Sequence, residues 1–215
     1  EVPMLTLSRI CGSGVQSIVT AAQMIMLEEA QVVVAGGMEN LSQAPHVLRG
    51  LRDTYKLARP PKEGAVLEKD MEDYLFTNLL DGFCGSFMAQ TSDEICKRKG
   101  VTREETDEFA ALSHTRTSRS IKSGIWQTEI VAVNGIGFED EDHVVPSCTK
   151  ESLAELRTAF GPDSLVTAGN ASGVVDGAAA VVVKSASRAE QDGDKPLAKI
   201  ISWGIVGLEP AIMAY

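Results

Sequence analysis

Arg9-Ile10-Cys11-Gly12-Ser13-Gly14, running directly into VQSIVTAAQMIMLEEA, is the stretch that most constrains this chain. Val2-Pro3-Met4-Leu5-Thr6-Leu7 before it is short, apolar and β-inclined, and predicts a strand. After it, Val15, Ile18, Val19, Ala22, Ile25 and Met26 recur at helical spacing, predicting an amphipathic helix from about Gly12 or Ser13 to Glu28-Glu29. Cys11 thereby falls on a strand-to-helix turn. The glycines permit sharp backbone angles and remove side chains that would cover the sulfur. Free amides at a helix N-terminus favour negative charge, which suits a thiolate nucleophile. The plainer reading, a small cysteine buried in a tight turn, uses the same residues.

Gln31-Val32-Val33-Val34-Ala35 follows as a β-branched run, predicting a strand buried on both faces and a βαβ-like piece of an α/β core. Gly36-Gly37 is expected to break it, without the lysine or hydroxyl of a phosphate loop and with close backbone packing near the cysteine turn. From about Leu41 the alternation is lost over LRGLRDTYKLARPPKEGAVLEKDMED, an excursion outside the core. Helices are predicted from Phe87 to Lys99, closed by Gly100, and from the capping box Thr102-Arg103-Glu104-Glu105 to Lys122. The second has an apolar stripe of Phe109, Leu112 and Ile121, and another face bearing Arg116, Arg119 and Lys122, read as a solvated basic face or as a phosphate patch. Leu153, Leu156 and Phe160 read as a short helix end. Strands are predicted at Leu165–Ala168, at Ala178–Lys184, there buried, and at Leu197–Val206; SASRAEQDGDK reads as a surface connection. GNASG between them is a dense set of small polar groups, suited to close approach of a ligand or to a tight turn with a left-handed asparagine.

The blocks CGSGVQSIVTAAQ, VVVAGGMENLSQAPH and SLVTAGNASGVVDGAAAVVVKS, in that order, resemble the thiolase family, acetyl-CoA acyltransferases and 3-ketoacyl-CoA thiolases. The resemblance runs from the strand before Cys11 to Pro210. It implies an α/β thiolase fold, a layered α-β-α-β-α core that is incomplete here, with an inserted loop domain. The expected segments are 1–41, core with the nucleophile turn; 42–163, a loop domain covering coenzyme A; 164–190, further core strands; and 191–215, the start of a C-terminal core. The chain is accordingly expected to be an internal segment of a longer protein, inactive in thiolysis by itself.

By the same resemblance Cys11 is the catalytic nucleophile, and Leu79, Met88, Phe160, Ala168 and Ser172 face the coenzyme, Ser172 through its hydroxyl. Biosynthetic members have a histidine before the methionine, where Phe87 stands here, which leans towards thiolases of longer 3-oxoacyl chains. Val145 aligns where the family has a nucleotide-touching arginine. His46, His114 and His143 match no catalytic histidine and lack a second ligand at metal spacing, so no metal is expected. Glu139-Asp140-Glu141-Asp142 reads as solvated, with calcium as the alternative. The implied reaction is thiolytic cleavage of a 3-oxoacyl-CoA through acetyl-Cys11, or the reverse Claisen condensation, with acyl-CoA as substrate and no separate cofactor. The alternative is a catalytically incomplete subunit that binds acyl-CoA or acts as a scaffold. A related condensing enzyme sharing the nucleophile turn is opposed by VTAGNASGVVDGAAA.

A net charge of −10, from 20 basic and 30 acidic residues, opposes nucleic-acid and anionic-membrane surfaces. Scattered Cys11, Cys84, Cys96 and Cys148 suggest reduced thiols and a cytoplasmic setting, mitochondrial matrix and peroxisome staying open. No apolar run is long enough to span a membrane, and no secretory or transit segment is visible. A homo-oligomer, dimer or tetramer, or a second chain completing the core is the expected partner.

Overall fold

A long antiparallel ribbon organises the part of the chain that carries Cys11. The structure, a computed structural model, describes residues 2–48, 71–133 and 141–215. In it β1 (Val32–Asn40) pairs with β6 (Asp176–Lys184), in register from Val32 opposite Lys184 to Asn40 opposite Asp176. The β-branched runs do form strands, but β1 pairs antiparallel with β6, from far along the chain, and not with Val2–Leu7, so no βαβ unit forms among the described residues. Side-chain composition selects extended backbone and is silent on strand direction. Nor are both faces buried: Val34, Met38, Val181 and Val182 are exposed.

Gly36-Gly37 does not end β1. At Gly36 a Cβ would run into the carbonyl oxygen of Ala179 and crowd Ala180, so glycine there lets the two backbones close up. Beyond β1, Ser42 ties the ribbon's end together: its hydroxyl donates to Asp176 Oδ2 at 2.5 Å and its N–H to Oδ1 at 2.9 Å. Those bonds hold the Asp176 carboxyl below its usual range.

The chain divides into two compact units, Glu1–Ala44 with Val174–Val206, and Pro45–Gly173 with Gly207–Tyr215. In the first, α1 (Ser13–Met26) packs on β1 and β6, burying Val19, Ala21 and Ala22. The stretch after β6, predicted as irregular, contains α6 (Ala186–Asp192). Ser185 caps it by accepting the Arg188 N–H at 3.2 Å, Arg188 and Asp192 pair one turn apart, and Gly193 at φ 71° ends it. Among the described residues, Val2–Leu7, Leu165–Ala168 and Leu197–Val206 form no ladder, the single bridge Thr158–Thr167 apart. Their composition suits a strand, but a strand also needs a paired neighbour.

The second unit holds short pairings and helices. β2 (His46–Leu48) pairs with β3 (Met71–Asp73), so His46 opens a strand. Most of the excursion between them, 49–70, lies outside the described residues. α2 (Tyr74–Leu79) starts on Asp73, whose carboxylate accepts the Leu75 N–H at 2.8 Å. β4 (Leu80–Asp81) and β5 (Ser86–Phe87) form a small hairpin leading into α3 (Met88–Lys99), which Gly100 closes at φ 68°. α4 (Arg103–Lys122) follows behind its capping box, Glu105 Oε2 accepting the Thr102 N–H at 2.8 Å. α5 (Lys150–Ala154) packs against α4. The face α4 buries is not its apolar stripe, since Phe109 is 71% exposed and Leu112 is exposed, whereas Asp107 is 1% exposed.

Candidate active site

Cys11 lies immediately before Gly12, the N-cap of α1, which has no side-chain cap of its own. The turn is closed by its backbone and one hydroxyl. Gly12 N–H donates to Arg9 C=O at 2.9 Å and Ser13 N–H to Ile10 C=O at 3.1 Å. The Ser13 hydroxyl accepts the Arg9 N–H at 2.8 Å and donates to Ile10 C=O at 2.7 Å. Ile10 sits at φ 49°, a left-handed conformation that β-branched residues rarely take. Cys11 is exposed and all four thiols are free. The other three are half-buried, and burial raises the Cys96 and Cys148 thiols above their ordinary range, with Asp93 and Asp107 adding to it. Cys11 is therefore the accessible thiol.

The GNASG segment belongs to the other unit and is built differently. Thr167, 1% exposed, accepts the N–H groups of Gly169 and Asn170 on its hydroxyl at 3.2 and 3.3 Å. Asn170 is not left-handed; its carboxamide closes the turn instead. Its Oδ1 accepts the Thr167 N–H at 2.7 Å, and its Nδ2 donates to Leu165 C=O at 2.8 Å and Asp107 Oδ1 at 2.9 Å. Asp107 Oδ2 accepts from Arg103 Nε at 2.7 Å, one turn earlier on α4. Arg103 Nη2 in turn donates to Leu153 C=O at 2.6 Å, at the end of α5. Gly169 lies so close that a Cβ would strike the side chains of Leu153 and Leu156. Ala168 and Ser172 emerge exposed from this fixed frame.

Leu79, Met88 and Phe160 lie near one another through Phe87. Leu79 precedes Leu80, which pairs with Phe87, and Met88 follows it. The Phe87 ring stacks on Phe160 at 6.3 Å and meets Phe76 edge-on at 6.5 Å. Phe87 thus fills an aromatic cluster where a histidine would have offered a donor. Of the residues singled out by sequence, Cys11 is in the first unit, and the five coenzyme-facing candidates are all in the second.

Several other features have plain structural partners. His114 Nδ1 accepts the Val145 N–H at 3.2 Å, and Glu141 Oε1 accepts that of His143 at 2.9 Å. Glu139 and Asp140 lie outside the described residues, among which no group of His, Cys, Asp and Glu is placed to hold a metal ion. Arg119 and Lys122 occupy the last turn of α4, where positive charge complements the helix dipole. No helix among the described residues is long and apolar enough to cross a membrane. Sequence reasoning missed Ser13, Arg103 and Asp107. The RxxxD spacing of the last pair signals an ion pair on a helix, but nothing in it signals burial.

Comparison with known proteins gives this geometry its setting. The thiolase N-terminal domain family matches residues 1–187. An acetyl-CoA acetyltransferase of Cupriavidus necator is 38% identical over 99% of this chain and 54% of its own length. The crystal structure of human mitochondrial 3-ketoacyl-CoA thiolase in complex with CoA superposes with a TM-score of 0.87 at 37% identity, over 99% of this chain and 52% of that one. The Bacillus anthracis acetyl-CoA acetyltransferase gives 0.82 at 33% identity, over 97% and 52%. The chain spans about half the length of the relatives it matches. With an exposed cysteine on a helix-opening turn and that likeness from end to end, the chain belongs to the thiolase family and takes the thiolase fold over the part it represents.

Proposed function

We propose that the chain carries the nucleophile and the coenzyme-facing turn of an acyl-CoA thiolase. The observation that carries this is Cys11, the exposed thiol at the opening of α1, in a chain that resembles a coenzyme-bound thiolase throughout. Cys11 Sγ attacks the 3-oxo carbonyl of a 3-oxoacyl-CoA, forming an S–C bond, and the C2–C3 bond breaks. Its electron pair leaves as the enolate of acetyl-CoA, which takes up a proton. The acyl group left on Cys11 is shorter than the substrate chain by one acetyl unit, and the thiol of coenzyme A then removes it. Atom balance makes that intermediate acetyl-Cys11 only for acetoacetyl-CoA; longer substrates leave a longer acyl group. In the condensing direction, acetyl-CoA acetylates Cys11 first.

The Gly12 and Ser13 N–H groups are taken by the Arg9 and Ile10 carbonyls, so amides further into the first turn of α1 are read as the donors to a thioester oxyanion near Cys11. Ala168 and Ser172 are read as pantetheine contacts, and Leu79, Met88 and Phe160 as the surface beside it. Coenzyme A enters as substrate, with no further cofactor. Free thiols at all four cysteines suit a reducing, cytoplasmic compartment. The exposed apolar face of the ribbon, Val32, Val34, Met38 and Val182, supports assembly with another copy or chain. Acetyl-CoA added to the chain should place one acetyl group on the peptide containing Cys11, read by mass spectrometry, and none on Cys11→Ala. Absence of acetylation, or acetylation spread over all four cysteines, would overturn the reading.

A further inference from the structure

Asp107 is a buried carboxylate that the chemistry at Cys11 does not use. Removing a charge from water is unfavourable even when it is paired, and an apolar set of similar size is often as stable, so a stabilising role by itself is a weak account of a carboxylate at this position. What distinguishes Asp107 is where its two oxygens go. One holds Arg103, which is itself fastened to the end of α5; the other holds the Asn170 carboxamide. The other bonds of Asn170 go to the backbone of its own turn, at Thr167 and Leu165, and, longer at 3.4 Å, from Nδ2 to Thr106 Oγ1, also on α4. Its orientation, and with it the course of the backbone from Ala168 to Ser172, is set from α4. A neutral side chain could accept from Asn170, but only a carboxylate accepts from Asn170 and from the Arg103 guanidinium at once with no donor of its own to misplace.

On the reading of Ala168 and Ser172 as coenzyme contacts, we infer that Asp107 is the positioning residue of the acyl-CoA-binding turn, acting through Asn170. It touches no substrate. It fixes the geometry in which Ser172 can donate to the pantetheine arm.

Titration calorimetry of the chain with coenzyme A tests this as a double-mutant cycle of Asp107→Asn and Ser172→Ala. Alone, Ser172→Ala is expected to raise Kd about two- to tenfold, the worth of one hydrogen bond. Asp107→Asn is expected to raise it by at least as much while circular dichroism still shows a folded chain at the assay temperature. Without Asp107 the Ser172 hydroxyl is no longer aimed, so adding Ser172→Ala to Asp107→Asn should change Kd by less than twofold. A merely structural Asp107 leaves the two losses multiplicative, and that result overturns the inference. If Asp107→Asn does not fold, Asn170→Ala replaces it in the cycle, with the same non-multiplicative result expected. An unchanged Kd for Ser172→Ala alone refutes the coenzyme-contact reading itself and removes the inference with it.

Discussion

The two units bury different kinds of residue. Around Cys11 the buried set is Val19, Ala21, Ala22, Ala35 and Ala189, all apolar and mostly small. Around GNASG it is Thr91, Asp107, Ser164 and Thr167, with Leu153 as the apolar member. Apolar burial is non-directional and tolerates small shifts, so a helix can settle on a ribbon by closeness of fit alone. Hydrogen-bonded burial fixes angles as well as distances. The unit that must present a thiol uses the first kind, and the unit read as gripping a long flexible coenzyme uses the second.

The sharpest way to break that contrast is Asp107→Ala. It leaves Arg103 and Asn170 without their shared acceptor, and breaking a buried pair costs about 3–5 kcal/mol. Since the Arg103 guanidinium is partly exposed, the lower end, about 3 kcal/mol, is expected from denaturant unfolding. A loss under about 1 kcal/mol would mean that the polar network does not hold the second unit.

Gly36→Ala probes the first unit. The new methyl group meets the Ala179 carbonyl, a backbone atom that cannot swing aside, so β1 and β6 must separate locally. Overpacking of this kind costs typically about 1–3 kcal/mol. Faster hydrogen exchange along Ala178–Lys184, with the amides of α3 and α4 unchanged, is the expected pattern. Uniform acceleration through both units would show that they do not open separately.

How much of this was legible in the sequence follows the same division. Helices with their stops written locally were readable to within a residue or so: α3 ends at Gly100, and α4 starts on the Thr102–Glu105 box. The strands of the ribbon were readable from Val32–Val34 and Val181–Val183, yet their antiparallel pairing was not, because it joins segments far apart in the chain. α6 was missed because its polar residues look like a connection until Ser185 and Gly193 are read as caps. At the site, Cys11 stood out by its glycines and the candidate coenzyme contacts by resemblance. Asp107 did not stand out, because whether a carboxylate on a helix faces solvent or Asn170 depends on what packs there.

Thiol reactivity compares the units by a third route. Iodoacetamide near neutral pH should label Cys11 about tenfold faster than Cys96 or Cys148, equivalent to about 1.4 kcal/mol. Burial raises those two thiols, so their thiolate fractions are reduced near neutral pH and their labelling should climb only as pH passes above the ordinary thiol range. The linked stability has the same sign. A thiol raised in the folded state favours folding below the unfolded-state value, and that contribution is lost as pH rises through the folded one. Peptide mapping across a pH series reads this directly; equal rates at all four cysteines would contradict the exposure pattern.

The smallest expected effect lies at the Cys11 turn, where the first unit departs from its own rule. There a single polar side chain, not apolar packing, holds the conformation. Ile10 is kept at φ 49°, and a non-glycine residue held in that region costs about 1–3 kcal/mol unless its surroundings fix it. The Ser13 hydroxyl does so from both sides, accepting from Arg9 N–H and donating to Ile10 C=O. Both bonds are solvent-exposed, so Ser13→Ala should cost only about 0.5–1.5 kcal/mol of stability. The more telling readout is local. Once Ile10 is free to leave the left-handed region, Cys11 no longer keeps one position before α1, and its labelling rate should fall while those of Cys84, Cys96 and Cys148 stay as they were. Ser13→Thr keeps the hydroxyl and should restore the rate. Equal labelling of Cys11 in wild type, Ser13→Ala and Ser13→Thr would show that Gly12 and the backbone bonds suffice to hold the turn.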